Sequence, residues 1–189
     1  DWSSDVCSSD LNEIAQIAAK TGANIQDIST ALALDERIGS KFLQSGPGYG
    51  GSCFPKDTIS LAKSAKELDL ELPLISNINL SNNNTINIIA QKIITLLEKY
   101  KIKNLLVMGL AFKAGTDDIR DSQPLKIIDY ITNNSKNIQI NVHDPFALKY
   151  FTESKDITKS NDLVESIKNN EAIVIAKIGR AHVWTPVTR

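Results

Sequence analysis

A glycine-rich stretch near the start of the chain limits the folds that this sequence can adopt. Residues 46–51 contain four glycines and one proline, and Cys53, Pro55 and Asp57 follow closely. Glycine and proline both interrupt helices and strands, so we predict an irregular loop between two helical regions. Because glycine has no side chain, a ligand can lie directly against the backbone here. Cys53, which follows this bare backbone, is therefore a candidate nucleophile.

Two charged residues follow the cysteine at short spacing. Lys56 lies three residues after Cys53 and Asp57 lies four residues after it. A nearby ammonium group favours the thiolate form of a cysteine, and a carboxylate is a candidate general base. The structural alternative is a small cysteine buried in the loop. No second cysteine or histidine lies nearby, so we expect no metal site and no papain-like or thioredoxin-type chemistry.

Composition bounds the class of protein. The chain has 189 residues, of which 42% are hydrophobic and 23% charged, as is typical of globular proteins with one large or two small domains. A net charge of −1 without a basic stripe predicts no nucleic-acid partner. The apolar runs are too short to cross a bilayer, so we expect no membrane partner. Two cysteines make no disulfide framework, which favours a cytoplasmic location.

Hydrophobic periodicity divides the chain into two kinds of pattern. Helical spacing predominates over residues 12–100, with Asn24 as a predicted N-cap, a helix that Asp57 would cap, and a long helix from about Leu74 to Tyr100. Residues 81–84 are all polar and predict a weak point or a break in that long helix. From about residue 103, short apolar strands alternate with helices, at residues 104–110, 123–132, 138–143, 161–168 and 172–176. This alternation predicts an all-α domain followed by a partial, Rossmann-like α/β domain with a parallel sheet.

The two ends of the chain differ in composition from the body, which is rich in Ile, Asn and Lys. Residues 1–11 and about 178–189 resemble peptides that arise when sequencing-adapter DNA is translated. We interpret both as non-native tails, the alternative being natural but unusual termini. The predicted domains are then residues 12–100 and 101–177, as an interior piece of a longer parent protein.

The spacing of the glycines is open to a misleading interpretation. Gly46, Gly48 and Gly51 match the GxGxxG fingerprint of dinucleotide-binding domains letter for letter. That fingerprint follows a core strand and opens a helix at its third glycine. Residues 37–43, which precede the glycines, are not typical of a core strand, and Cys53, Phe54 and Pro55 delay the helix. We therefore interpret the glycines as a floor on which a ligand is presented to Cys53.

Three segments together resemble one protein family. Residues 46–57 (GPGYGGSCFPKD) closely resemble the catalytic loop of UDP-glucose 6-dehydrogenases, in the UDP-glucose/GDP-mannose dehydrogenase family. Residues 109–122 (GLAFKAGTDDIRDS) resemble the loop that opens the family's UDP-binding domain, and residues 35–43 (DERIGSKFL) are a third match. Their order and spacing fit the family over about residues 12–177. Sister enzymes for UDP-N-acetyl amino sugars usually carry a histidine where Ser52 stands, so Ser52 favours UDP-glucose.

The resemblance implies an enzyme mechanism and a set of site residues. The family oxidises the C6 alcohol of the sugar to a carboxylate with two NAD⁺ and one water, through a thiohemiacetal and a thioester that Cys53 would form. Asp57 would orient or deprotonate the hydrolytic water. The implied contacts to UDP-glucose are Phe42, Leu43, Gln44, Ser45, Gly46, Tyr49, Gly50 and Lys113. Of these, Tyr49 would cover the sugar ring. Lys56 and Arg120 would contact NAD, and Arg37 would reach the substrate of a neighbouring subunit in a homodimer built on the helical region.

Several of these residues have simpler structural alternatives. Asp57 would serve as a helix N-cap, Lys56 and Lys113 as surface lysines, and Arg120 as the partner of Asp117 or Asp121. The family's NAD domain, with its own GxGxxG, has no counterpart in the sequence, so we expect this chain alone to be inactive. The competing functions are a UDP-N-acetyl amino sugar dehydrogenase and a non-catalytic module for dimerisation or nucleotide-sugar binding.

Overall fold

The computed structural model describes residues 2–41, 43–176 and 187–188, with only the backbone at residues 2–8 and 187–188. Two compact units divide the chain, one up to Ile86 and the other from Asn87. The division falls inside a long helix, earlier in the sequence than the boundary predicted at residue 100. In the described parts of the chain, no helix has the length and apolar character needed to span a bilayer.

The first unit is helical, as predicted. Its helices are α1 (Trp2–Thr21), α2 (Ile25–Ala33), α3 (Phe54–Glu67) and the first part of α4 (Pro73–Lys99). Asn24 caps α2 as predicted, because its side chain accepts a hydrogen bond of 3.0 Å from the backbone N–H of Gln26. The buried apolar side chains of this unit include Leu11, Ala18, Leu43, Ala65 and Ile78. Helix α1 begins within residues 1–11, whose non-native origin stays a prediction.

Two details of the helical prediction are wrong. Helix α3 begins at Phe54 with Cys53 as its N-cap, so Asp57 lies in the first turn and does not cap the helix. The backbone N–H of Asp57 donates to the carbonyl of Cys53 at 2.9 Å, which closes that turn. Helix α4 is also continuous through residues 81–84, because Asn82 on its inner face finds hydrogen-bond partners outside the helix.

The second unit is an α/β sheet, which confirms the predicted fold class. Four parallel strands and one antiparallel strand stand in the order β3-β2-β1-β4-β5, with β5 antiparallel to β4. In chain order the elements are β1 (Asn104–Met108), α5 (Gln123–Asn134), β2 (Gln139–His143), a short 3₁₀ helix (Leu148–Tyr150), β3 (Ile157–Lys159), α6 (Leu163–Asn169), β4 (Ala172–Ile175) and β5 (Val187–Thr188). β3 was not predicted, because three residues are too few to show a period. Most of the predicted C-terminal tail, residues 178–186 and 189, lies outside the described residues, as does residue 177 before it.

The position of β1 explains where a ligand would bind in this unit. Leu106 of β1 pairs with Asn141 of β2 on one side and with Ile173 of β4 on the other. The chain runs from β1 to β2 on one side of β1, and it reaches β4, on the other side, from β3. The strand order therefore switches between β1 and β4, and parallel sheets of this kind bind ligands at the carboxyl ends of the strands at such a point. The chain leaves β1 at this end as an irregular segment, residues 109–122, which we call the β1 loop. It contains Lys113 and Arg120.

Asp144, which follows β2, holds the start of the β1 loop. Its carboxylate accepts hydrogen bonds from the backbone N–H groups of Leu110 (2.7 Å) and Ala111 (3.4 Å). The other carboxylate oxygen accepts from Phe146 (2.8 Å) and Ala147 (2.7 Å), which forms the turn after β2. One buried carboxylate thus satisfies four backbone donors from two connections.

The glycine-rich loop, residues 43–53, is held in the first unit by α4. Both ends of the Asn82 carboxamide bond to the backbone of Tyr49: Oδ1 accepts from its N–H at 2.8 Å and Nδ2 donates to its carbonyl at 2.9 Å. Gly48 has a φ of +101°, and a Cβ placed on it would lie 2.2 Å from Oδ1 of Asn82. Position 48 therefore requires glycine for both its backbone conformation and its contact.

We expect Gly48→Ala to destabilise the first unit. The strained φ and the clash with Asn82 together cost about 3 kcal/mol. Urea unfolding followed by circular dichroism measures this change. Gly46→Ala is the matched control, because a Cβ at Gly46 meets no atom within 4 Å. Equal stability of the two variants would show that the close contact between Gly48 and Asn82 does not hold the loop in place.

We expect Asp144→Asn to destabilise the second unit by about 2 kcal/mol, because an amide group replaces one carboxylate oxygen and faces backbone donors. Asp156→Asn is the control, since it keeps an oxygen for the long 3.4 Å contact from Gln139. Hydrogen exchange of the β1 and β2 amides reports the stability of this unit. Unchanged exchange in Asp144→Asn would show that the four hydrogen bonds contribute little.

Candidate active site

Polar side chains from three helices fix the backbone of the glycine-rich loop. Asn12 of α1 accepts a hydrogen bond of 2.7 Å from the N–H of Gly46, and Ser29 of α2 donates to the carbonyl of Leu43. Asn82 of α4 holds Tyr49. Asn12 and Asn82 are only 5% and 3% exposed. Backbone groups of Leu43, Gly46 and Tyr49 are therefore bonded to side chains of the surrounding helices, two of which are buried, and this favours one conformation of the loop without a ligand.

The sequence predictions missed these anchoring residues, although one of them carries a signal. Asn82 lies four residues from both Ile78 and Ile86, which are buried on α4. A polar residue in the middle of an apolar stripe is a residue that needs a buried partner. The sequence around Asn12 and Ser29 gives no comparable signal, and their partners on the loop lie 34 and 14 residues away.

Tyr49 connects the loop to the first turn of α3. Its hydroxyl donates to Oδ1 of Asn79 at 2.8 Å, and Nδ2 of Asn79 donates to the hydroxyl oxygen of Thr58 at 2.9 Å. The Thr58 hydroxyl in turn donates to the carbonyls of Phe54 and Pro55, at 2.9 and 3.1 Å. A continuous series of hydrogen bonds therefore runs from the loop to the residues that directly follow Cys53.

Cys53 is exposed and is the N-cap of α3, so the alternative of a buried cysteine is wrong. Its Sγ lies 3.7 Å from the Ser52 hydroxyl. Asp57 lies one helical turn further on, and the Lys56 ammonium is 3.7 Å from its carboxylate, with both side chains mostly exposed. The backbone N–H groups at a helix start favour negative charge. The arrangement presents a thiol, a carboxylate and an ammonium group within five residues, which suits covalent capture of an electrophilic carbon.

The other predicted substrate contacts of this unit lie on or next to the same loop. Gln44 is exposed, and Ser45, Gly46 and Tyr49 are half-buried. Leu43 and Gly50 are buried, and the side chain of Leu43 belongs to the core. Phe42 lies outside the described residues. This set lies close to Cys53 in sequence, on or next to a loop whose backbone is anchored by Asn12, Ser29 and Asn82.

Arg37 is held on the surface by a neighbouring carboxylate. Its Nε and Nη2 donate to the two oxygens of Asp35 at 2.9 and 2.5 Å, and its side chain is 89% exposed. The guanidinium group lowers the pKa of the Asp35 carboxyl, and the carboxylate raises the pKa of Arg37. A bidentate pair of this kind fixes the direction in which the arginine extends.

The β1 loop in the second unit repeats this arrangement. Nε and Nη2 of Arg120 donate to the two oxygens of Asp118 at 2.9 and 2.6 Å. The hydrogen bonds from Arg120 lower the pKa of the Asp118 carboxyl to about 2. The predicted pairing of Arg120 with Asp117 or Asp121 is wrong, because these carboxylates pair with other residues: Asp117 with Lys149 at 3.1 Å, and Asp121 with Lys126 at 2.5 Å.

Lys113 lies at the tip of the β1 loop. The backbone N–H of Phe112 donates to the carbonyl of Asp118 at 3.0 Å, which closes residues 113–117 into a compact turn. The ammonium group of Lys113 is exposed and lies 5.4 Å from the centre of the Phe112 ring. The two residues of this unit that the sequence predicts as ligand contacts, Lys113 and Arg120, both carry a positive charge. They lie on one loop at the carboxyl end of the central strand, β1. Across the described residues, no cluster of three or more His, Cys, Asp or Glu side chains is placed to hold a metal ion.

Comparison with known proteins gives a consistent result for both units. Residues 4–84 match the model of the central domain of the UDP-glucose/GDP-mannose dehydrogenase family, and residues 106–180 match the model of the family's UDP-binding domain. The two matches include the cysteine loop and the β1 loop respectively. They also include residues 4–11 of the first predicted tail and residues 178–180 of the second.

Individual relatives agree with the family models. The chain is 38% identical to the UDP-glucose 6-dehydrogenase of Rickettsia felis over 88% of its length, and 32% identical to the UDP-glucose 6-dehydrogenase YwqF of Bacillus subtilis over 87%. It spans 38% of the length of each of these relatives.

Solved structures show the same fold. The UDP-glucose dehydrogenase of Pyrobaculum islandicum matches 94% of the chain with a TM-score of 0.83 at 27% identity, and the chain covers 41% of it. The UDP-D-ManNAc dehydrogenase of Pyrococcus horikoshii matches 93% of the chain with a TM-score of 0.74 at 28% identity, and the chain covers 39% of it. With the cysteine loop and the β1 loop each lying inside a matching domain of one family, the chain belongs to the UDP-glucose/GDP-mannose dehydrogenase family.

Proposed function

We propose that this chain is part of a UDP-glucose 6-dehydrogenase and supplies its cysteine nucleophile. The observation that carries the proposal is the exposed thiol of Cys53, a residue at the N-cap position of α3 directly after an anchored, glycine-rich backbone. Relatives with this name are up to 38% identical to the chain. The substrate would be UDP-glucose and the product UDP-glucuronate.

Cys53 would act between two oxidation steps. The C6 alcohol first loses a hydride and a proton and becomes an aldehyde. The Cys53 thiolate adds to the aldehyde carbon and forms a thiohemiacetal, which keeps the reactive aldehyde on the protein. Loss of a second hydride and a proton gives a thioester, and one water molecule hydrolyses it to the carboxylate and the thiol. The overall change consumes one water and removes four electrons from the sugar.

Asp57 would serve the hydrolytic step. It lies one turn after Cys53 on α3, and residues at this spacing share a helix face. Its exposed carboxylate can accept a proton from the attacking water. The Lys56 ammonium lies near this carboxylate and would help to hold anionic groups of substrate or cofactor close to Cys53.

NAD⁺, when bound, accepts the hydride in each oxidation step. The resemblance assigns Lys56 and Arg120 to NAD, and both carry the positive charge that suits an anionic pyrophosphate. Lys56 is exposed, and Asp118 holds Arg120 in a defined direction. A guanidinium group that is already oriented loses little freedom on binding a phosphate. Lys113, at the tip of the β1 loop, would contact UDP-glucose.

Arg37 supports a role across a subunit interface. Its side chain points into solvent from a rigid pair with Asp35 and is therefore able to reach a second molecule. Exposed apolar side chains on the helical unit are consistent with a homodimer, among them Leu34 (81% exposed), Leu74 (79%) and Leu80 (66%). A reaction on a nucleotide sugar with NAD⁺ fits a cytoplasmic enzyme.

A UDP-N-acetyl amino sugar dehydrogenase is the second candidate. The structural similarity to the UDP-D-ManNAc dehydrogenase of Pyrococcus horikoshii supports it. Ser52, beside Cys53, favours UDP-glucose, because the sister enzymes usually have histidine at this position. Competition between the two sugar nucleotides in the full-length parent enzyme distinguishes them.

We expect Cys53→Ser to reduce NADH formation by the parent enzyme to less than about one thousandth of the wild-type rate, because the thioester cannot form. Ser64→Ala, at an exposed position on the same helix, is the control for expression and folding. Calorimetric binding of UDP-glucose should persist in both variants. Wild-type turnover by Cys53→Ser would rule out the thioester route.

We expect the isolated chain to produce no steady NADH from UDP-glucose and NAD⁺. In its described residues, the GxGxxG letters lie between helices instead of following a strand, so no dinucleotide-binding βαβ unit forms around them. The NADH absorbance band measures the reaction, with the parent enzyme as control. Saturable binding of UDP-glucose without turnover fits the proposal. Steady NADH production would contradict it, and a dimer without any such binding would favour a purely structural module.

A further inference from the structure

An asparagine on α4 connects the two segments that flank the cysteine. We propose that Asn79 is a positioning residue that couples the Tyr49 side chain to the first turn of α3, and thereby sets the orientation of the Cys53 thiol. The inference rests on the proposed function, in which Cys53 is the nucleophile and Tyr49 lies against the sugar. In this role Asn79 acts on the thiol through other residues and contacts neither the thiol nor the sugar.

The direction of the hydrogen bonds explains why an asparagine stands at this position. The Tyr49 hydroxyl donates to Oδ1 of Asn79, Nδ2 donates to the Thr58 hydroxyl oxygen, and Thr58 donates to the carbonyl of Phe54. Within the series, the two middle groups, the Asn79 carboxamide and the Thr58 hydroxyl, therefore each accept from one neighbour and donate to the next. Aspartate lacks the donor and leucine lacks both groups, so only a carboxamide of this length joins the two hydroxyls.

The placement of the series links ligand contact to the thiol. Tyr49 precedes Cys53 by four residues and Thr58 follows it by five, so Asn79 closes a ring around the cysteine segment from a different helix. Thr58 is buried and Asn79 is half-buried, which limits competition from water. A ligand that displaces the Tyr49 ring would pull on Asn79 and loosen the turn that Cys53 caps.

The thiol's own chemistry provides the test. Cys53 stands at the N-cap position of α3, and the start of a helix favours negative charge. A loosened first turn should therefore slow the attack of the thiolate on an alkylating agent. We would measure the iodoacetamide alkylation rate of Cys53 on the intact chain, resolved from Cys7 by peptide mass spectrometry. The variants are Tyr49→Phe, Thr58→Val and their combination. Tyr49→Phe removes a hydroxyl group, and Thr58→Val replaces one with a methyl group of similar size.

We expect each single variant to slow alkylation about fivefold, as for the loss of one hydrogen bond. The double variant should also be about fivefold slower, because both substitutions break the same series. Thr58→Ser, which restores the hydroxyl, should return the rate to that of the wild type. Thr30→Val is the matched control: Thr30 makes the same kind of bond, to the carbonyl of Gln26 at 2.8 Å, without an asparagine partner. Thermal unfolding confirms that all variants are folded.

Two outcomes would overturn the inference. Independent effects, with a double variant about 25-fold slower, would show that Asn79 does not couple Tyr49 to Thr58. Unchanged rates in the single variants would show that the series does not affect the thiol. The result is separate from the proposed function: coupling in this assay together with full activity of Cys53→Ser in the parent would sustain the role of Asn79 and reject the thioester mechanism.

Discussion

The first unit depends on one buried carboxamide. Asn82 bonds both the N–H and the carbonyl of Tyr49, and a Cβ at Gly48 would lie 2.2 Å from its Oδ1, so a side chain there would displace Asn82 from these bonds. A glycine-rich loop has high conformational freedom when unfolded, and this contact selects one conformation of it. The loop conformation in turn determines where α3 begins, and therefore where the Cys53 side chain is placed. The glycines are therefore required by a protein contact as well as by the proposed ligand.

Both units solve the same physical problem with a buried polar side chain. An irregular segment that approaches a core has backbone donors and acceptors without helix or strand partners, and leaving them unbonded is costly. Asn82 meets this need for the glycine-rich loop, and Asp144 meets it for the β1 loop with four hydrogen bonds. On both sides the result is a loop of fixed shape. Each unit also presents one arginine clamped by an aspartate two residues earlier, Arg37 by Asp35 and Arg120 by Asp118.

The sequence predicted the fold class and the main elements because these depend on local periodicity. The Asn24 cap and the parallel strands β1, β2 and β4 all follow from neighbouring residues. The start of α3 could not be predicted correctly, since Asp57 is a good N-cap by residue type while Cys53 takes that place through the geometry of the loop. The continuity of α4 through residues 81–84 and the roles of Asn79 and Asn82 depend on partners about 20 to 33 residues away in sequence. A local pattern marks Asn82 as a residue that needs a buried partner, but no local pattern identifies the partner.

The central claim is that Cys53 carries the substrate between its two oxidations, and the covalent intermediate is its most direct test. The parent enzyme, quenched in acid during turnover of UDP-glucose and NAD⁺, would be digested and analysed by peptide mass spectrometry. The account predicts a UDP-glucuronyl thioester on the peptide that contains Cys53, with a larger amount in Asp57→Asn because hydrolysis is slower. An enzyme that turns over while this peptide stays unmodified in both proteins, or an adduct on a different residue, would contradict it.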